Sequence, residues 1–207
     1  MFDHETIKHT ITNTTIPMNK NIKFIDLCSG IGGFRIALNN IPYIHTECVL
    51  SADIKSDAID TYNVNFHENN KCTDIYTLNI EQIEPFDLLC AGFPCQPFSQ
   101  AGKRLGVNDT RGTLFHDILR ICRAKKPDNI LLENVQGLLT KRHEKTLKII
   151  VRSLKKIGYH VHVELLNSSD YGIPQSRKRV WIYATFKKIP ENFSLAPKKT
   201  SLFDTLQ

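Results

Sequence analysis

The stretch LLCAGFPCQPFSQAGKRLG (residues 88–106) sets Cys95 directly after Pro94, where an apolar run gives way to loop residues, glycines and the cations Lys103 and Arg104. A structural cysteine needs no such setting. A thiolate attacks electrophilic carbon well, and positive or helix-terminal surroundings lower its pKa from about 8.5. Lys103 and Arg104 could supply that charge, or contact phosphate instead. Glu133, in LLENV (131–135), is a second candidate. A carboxylate at the end of an apolar run costs free energy unless it is paired or protonated, and a raised pKa would make it a proton donor near neutrality. A cap or a salt bridge is the plainer alternative. In DYGIPQSRKRVWI (170–182), Gln175, Arg177 and Arg179 alternate, which in a strand puts all three on one side. Two arginines facing a cleft hold a carboxylate or phosphate through paired donors; on an edge strand the same charges guard against aggregation.

The turn DLCSGIGGF (26–34) contains Gly30, Gly32 and Gly33. Without Cβ atoms, such a turn lets backbone approach a ligand, although tight packing alone also selects glycine. The third spaced glycine of the dinucleotide fingerprint is missing, and no GK[ST] follows to make a phosphate loop. Asp53 ends the next apolar run, about twenty residues on, where a carboxylate accepts hydrogen bonds from ribose hydroxyls. Together these features argue for a cofactor that contains a nucleoside.

The elements that must position these residues alternate. Apolar runs at 22–28, 46–53, 86–92 and 128–134 read as strands, followed by HVHVELLN and RKRVWIYATF; segments at 33–40, 56–66, 112–126 and roughly 142–157 carry helical spacing. This order predicts an open α/β sheet with helices on both faces. Ligands of such sheets bind beyond the carboxyl ends of the strands. Gly30 and Gly32 are expected after the first strand, Asp53 after the second, Cys95 after a fourth and Glu133–Asn134 after a fifth. Residues 1–20, rich in Thr and Asn, read as a polar arm whose His4 and His9 are solvated. Residues 21–207 read as one domain.

The chain has 207 residues, 41% of them hydrophobic, and a formal net charge of +6. That balance suits a partner rich in phosphate, although solvated helix faces explain single basic pairs equally well. The pairs Lys103–Arg104, Lys125–Lys126, Lys141–Arg142 and Lys155–Lys156 concentrate the charge in the middle of the chain. None of the six cysteines forms a CxxC pair, which argues against zinc and, with Cys28, Cys48 and Cys90 in apolar runs, for reduced intracellular thiols. No secretory signal or membrane span is expected, which suits a cytoplasmic location.

DLCSGIGGFRIAL, GFPCQPFSQAG, RGTLFHDIL, LLENV and DYGIPQSRKRVWI occur in an order and spacing that resembles the DNA (cytosine-5) methyltransferases, from about residue 22 onward. The resemblance implies a Rossmann-like fold and transfer of a methyl group from S-adenosylmethionine to C5 of a cytosine in double-stranded DNA. It implies a cofactor site made of Asp26, Cys28, Gly30, Gly32, Gly33, Asp53 on the ribose, Ile54, Asp74 and Ile75 beside the adenine, Gly92, Pro94 and Leu114. Cys95 would add to C6, Glu133 would bind and protonate the ring at N3, and Arg177 would steady both carboxylate and base. Phe93, Gln96, Ser99, Lys103, Arg111, Asn134, Gln175 and Arg179 would contact the base or the DNA. The cytosine must flip out of the stack, at a cost of a few kcal/mol, and the loop from Gln96 to about Asn108, hinged at Gly102 and Gly106, would close over it.

Two positions depart from common family forms: Cys28 stands where Phe is frequent, and Ile54 where some members have an aromatic residue. Both would lie against the adenine, so weaker cofactor binding is expected. Family members also continue into a variable DNA-reading region and a final motif, whereas this sequence ends at PKKTSLFDTLQ. The expectation is a catalytic part completed by a second polypeptide, with truncation and a self-sufficient minimal enzyme as alternatives. Rival functions are a tRNA cytosine-5 methyltransferase, an inactive DNA- or cofactor-binding module and, far behind, an NAD-dependent oxidoreductase.

Overall fold

In the computed structural model, residues 21–94 and 114–196 are described. The arm at 1–20, the whole loop from Gln96 to Asn108, and with it Cys95, Gln96, Ser99, Lys103 and Arg111, lie outside the described residues. Six strands form one sheet: β1 (Asn21–Leu27), β2 (His45–Ala52), β3 (Leu88–Gly92), β4 (Asn129–Val135), β5 (His160–Asn167) and β6 (Lys178–Thr185). Their order across the sheet is β2-β1-β3-β4-β6-β5. β2, β1, β3 and β4 run parallel, and β6 lies antiparallel to both β4 and β5. This is the expected mostly parallel α/β sheet. Chain order reverses between β1 and β3, which opens a crevice at their carboxyl ends.

The helices are α1 (Gly33–Asn39), α2 (Ser56–Phe66), α3 (Leu114–Lys125) and α4 (Glu144–Lys156). Strand side chains alternate between faces. One set, Ile25, Leu27, Ala52, Leu89, Ala91, Ile130 and Leu132, joins Ile118, Leu119, Ile121, Ile150 and Leu154 of α3 and α4 in the main core. The other set includes Phe24, Asp26 and Cys90, all fully buried. On that side α2 contributes Tyr62, whose hydroxyl lies 3.6 Å from the Cys48 thiol.

The ordinal places expected for the strands beside Cys95 and Glu133 differ from those found. Between α2 and β3 the chain makes two 3-10 turns, Ile75–Thr77 and Ile80–Gln82, among the described residues. Asp74 and Asn79 each accept a hydrogen bond from the backbone N–H two residues on. Such local bonds compete with a sheet ladder for the same donors. Cys95 therefore follows the third strand, and Glu133 and Asn134 lie inside the fourth. Gln175 also sits ahead of β6, in a turn where its carbonyl accepts the Ser168 hydroxyl. The alternation expected from Gln175 to Arg179 is therefore not a continuous strand.

Candidate active site

The glycine turn leaves β1 through three left-handed residues, Cys28 (φ 55°), Gly30 (φ 53°) and Gly32 (φ 92°). Asp53, just beyond β2, braces it: the Gly30 N–H donates to Asp53 Oδ2 at 2.9 Å and the Lys55 N–H to Oδ1 at 3.0 Å. A Cβ on Gly30 or Gly33 would meet nothing within 4 Å, whereas one on Gly32 would lie 2.2 Å from Phe66 Cε2. Gly32 thus serves helix packing, while the backbone at Gly30 and Gly33 faces open space. Ile54, 67% exposed, offers an apolar surface next to the Asp53 carboxylate.

Glu133 lies in β4, in register with Gly92 of β3 on one side and Trp181 of β6 on the other. Its Oε1 pairs with Arg179 Nε at 2.8 Å and Arg177 Nη2 at 3.6 Å. Because β6 runs antiparallel, its first residues reach the edge where β1, β3 and β4 end. The missing side chain at Gly92 keeps the lane beside Glu133 open: a Cβ there would sit 3.8 Å from Glu133 Oε2. Phe34 meets Trp181 edge-on at 5.8 Å. Beside the carboxylate, Val135, Gln136, Gly137, Gln175, Ser176, Arg177, Lys178 and Arg179 line an open cleft of about 510 Å³.

Behind the turn is a buried polar group. Asp26 is fully buried, and neither carboxyl oxygen has a hydrogen-bond partner among the described residues. Burial pushes its carboxyl up to about 8; the nearby Arg35 charge opposes the rise and Asp53 adds to it. The hydroxyls of Ser29 and Ser51 and Nε of Arg35 are likewise buried without hydrogen-bond partners among the described residues. Burial, then the Asp53 and Asp26 charges, pushes the Cys28 thiol up to about 12. Burial also raises Cys48 and Cys90 and brings Cys122 to about 12. The thiols at 28, 48, 72, 90 and 122 are free, and the four raised ones are poor nucleophiles because burial disfavours the thiolate. No group of metal-binding side chains occurs among the described residues.

Residues 22–206 match the profile of the C-5 cytosine-specific DNA methylases. The chain belongs to that family. It is 47% identical to the type II methyltransferase M.BanI of Aneurinibacillus aneurinilyticus, covering 82% of this chain and 40% of that protein. Against the type II methyltransferase M.HhaI of Haemophilus parahaemolyticus the identity is 43%, over 78% of this chain and 48% of the relative. The fold superposes on the Dnmt2 methyltransferase of S. pombe with a TM-score of 0.64 at 31% identity, covering 83% of this chain and 52% of that one. The Entamoeba histolytica methyltransferase EhMeth gives 0.66 at 27% identity, over 88% and 58% of the two chains. The chain spans about half the length of the proteins it matches, or less.

Within this family member, the two ends of the Pro94 approach are held firmly. Asn134, 1% exposed, donates from Nδ2 to the Phe93 carbonyl at 2.9 Å, and its Oδ1 accepts from the Val135 N–H. Phe93 is buried 6.0 Å from the Phe115 ring. Both side chains are therefore occupied in supporting the backbone that leads to Cys95. Pro94 is exposed and Leu114 half-buried. Ile75 is 3% exposed and packs in the main core, while Asp74 caps its turn and the Thr73 N–H donates to the Asp53 carbonyl at 2.8 Å. Trp181 and Phe34, which wall the Glu133 side of the site, are absent from the residues expected there from sequence. The parity that links Arg177 to Arg179 also reaches Trp181, so the signal is present.

Proposed function

We propose that this chain carries the catalytic part of a methyltransferase that moves a methyl group from S-adenosylmethionine to C5 of cytosine in double-stranded DNA, with Cys95 as nucleophile. The observation that carries the reading is the meeting of Glu133 with Arg179 and Arg177 beside the Gly92–Pro94 backbone, one residue before Cys95.

The residues present fit the cofactor. Open space over Gly30 and Gly33 admits an extended ligand close to backbone, Asp53 has lone pairs left for ribose hydroxyls, and Ile54 gives a flat apolar contact for a base. When bound, S-adenosylmethionine supplies an electrophilic methyl group on a positively charged sulfur. Gly92 and Pro94 complete the same edge, with Asp26 and Cys28 behind it. Here Glu133 holds a proton at the cytosine N3 position while Cys95 adds to C6, offsetting the negative charge that attack builds on the ring. Arg179 and Arg177 fix the carboxylate through charge-assisted hydrogen bonds. Elimination after loss of the C5 proton frees Cys95. Gln175, Arg177, Lys178 and Arg179 line the cleft in which DNA phosphate near the flipped base is neutralised. The type II relatives favour a restriction-modification setting in bacterial cytoplasm, at the nucleoid.

The test incubates the purified chain with radiolabelled S-adenosylmethionine and mixed-sequence duplex DNA, and in parallel with RNA. Label on DNA cytosine C5 is expected, and Cys95→Ala should bring it to background. Glu133→Gln should slow transfer by about 10²–10⁴-fold. A second arm adds the part of M.BanI that this chain does not match as a separate polypeptide. Label only in that arm identifies a split enzyme; label on RNA alone, or in neither arm from a folded chain, sinks the reading.

A further inference from the structure

Positive charge is distributed unequally over the molecule. α4 exposes Lys145, Lys148, Arg152, Lys155 and Lys156, opposite its buried Thr146, Ile150 and Leu154. At spacings of three or four residues these side chains form one stripe down the outside of the helix. Glu144, the single acidic residue of α4, pairs with Lys148. The other four cations make no ion pair or hydrogen bond among the described residues. Next to α4, α3 adds exposed Arg123, with Lys126 just past its end. The inward cations of that helix are already engaged: Arg120 donates to the carbonyls of Ile75, Tyr76 and Leu78, and Lys125 to that of Ile83. Helices α1 and α2, on the other side of the sheet, carry only Arg35, held by Glu68, against Asp57 and Asp60.

The stripe is continuous with the candidate active site. The turn at Gln136–Leu139 lines the cleft beside Arg177 and Arg179 and leads through exposed Lys141 and Arg142 into α4. At its far end Lys155 borders a second open cleft with His160 and His162, near exposed Lys187 and Lys188. From Lys145 to Lys156 the helix rises roughly 16 Å. A duplex presents one phosphate charge per about 1.7 Å of axis. Cations strung along a line match such a polymer, whereas a small anion needs cations that converge. A protein partner would need an apolar patch, since charged residues are depleted at the centre of protein interfaces, and the exposed face of α4 has none.

We propose that the outer face of α4 is a docking track for the phosphate backbone of duplex DNA flanking the target base, running on from the catalytic cleft. It rests on the methyltransferase reading in taking DNA as the partner. The track contributes affinity without sequence preference, so it acts on the search for a target and on retention after turnover.

The test is binding of a fluorescein-labelled mixed-sequence duplex, by anisotropy, to the wild-type chain and to the variant K148Q/R152Q/K155Q/K156Q across a salt series. Circular dichroism checks the fold, and Lys55→Gln with Lys71→Gln serves as a charge control on the far side. At about 0.9 per phosphate, the log–log salt slope should fall by about 3 to 4, with at least tenfold weaker binding at low salt and unchanged S-adenosylmethionine affinity. A slope within one unit of wild type, equal loss in the control, or no DNA binding by the wild type overturns the proposal. Equal competition by polyglutamate overturns it in favour of an acidic protein. Methyl transfer with an unchanged slope sinks the track alone; slope loss with no methyl transfer in either arm of the transfer assay sinks the enzyme reading alone.

Discussion

Of the sheet's two faces, the one under α3 and α4 is closed by aliphatic residues from every parallel strand, with Leu27, Leu89, Ile130 and Leu132 all fully buried. The face toward α1 and α2 carries Ser51, Asp26 and Cys90 side by side across β2, β1 and β3. Both faces are buried, but only the first is apolar. The difference divides labour: one face supplies the hydrophobic free energy that fixes the strand ends, and the other places ionisable groups directly behind the residues that those ends present. Burial of unpartnered polar groups opposes folding, so the second face is stable only because the first one is.

The largest effect expected from this contrast is at Asp26. Its folded carboxyl titrates at about 8 against an ordinary 3.8. A raised acid means that the folded state holds a proton the unfolded chain has released. Stability from this group is therefore highest below the unfolded pKa and falls as pH rises from about 4 to about 8. A tenfold difference in proton affinity between the folded and unfolded chain corresponds to about 1.4 kcal/mol, so the full loss is on the order of 6 kcal/mol, an upper bound. Asp26→Asn removes the titration. Urea midpoints of the variant should vary little between pH 5 and 9, while those of the wild type fall; parallel profiles would show that Asp26 finds a partner in solution and that the two faces differ less than described.

The matching probe of the apolar face is Leu132→Ala. Leu132 is fully buried in β4, one residue before Glu133 and on the opposite side of the sheet. A loss of about 2–5 kcal/mol is expected, as for large-to-small changes in a closed core, and it should not depend on pH. A loss that grows with pH would mean that the two faces are energetically coupled through β4.

Much of this contrast is legible in the residues. β5 at His160–Asn167 and α2 at Ser56–Phe66 lie where alternation and helical spacing put them, because each is bounded by local turn signals. Gly30, Asp53 and Glu133 reach one edge as expected, since the α/β rule turns chain order into spatial order. What the pattern does not reveal depends on neighbours distant in sequence or on local bonds that replace a ladder. Between α2 and β3 the sequence leaves room for a further strand, but Asp74 and Asn79 take up the backbone donors locally. Asn134 has the chemistry of a group for DNA, yet its amide is spent on Phe93. Ile75 has the character to meet an adenine and is buried instead. Gly32 fits a ligand cradle by its spacing, and only the approach of Phe66 from α2 shows otherwise.

That last pair of roles gives the smallest and most discriminating comparison, between two glycines of one turn. Gly32 has φ 92°, and an added Cβ would lie 2.2 Å from Phe66 Cε2 and 3.2 Å from Tyr62 Cδ2. Gly32→Ala should cost about 1–3 kcal/mol in overpacking, read as a lower thermal midpoint, in addition to backbone strain. Gly30 has φ 53° with open space around it, so Gly30→Ala carries only the left-handed penalty of about 1–2 kcal/mol. In S-adenosylmethionine binding the order should invert, because the Gly30 methyl projects into the open space of the proposed cofactor site and the Gly32 methyl projects into α2. Adding Phe66→Leu to Gly32→Ala separates the two costs at that position: the ring atoms in collision are gone and part of the midpoint should return, leaving the backbone strain behind. No recovery in the double variant would place the whole cost in the φ 92° conformation, and Gly32 would then belong to the turn rather than to the packing of α1 on α2.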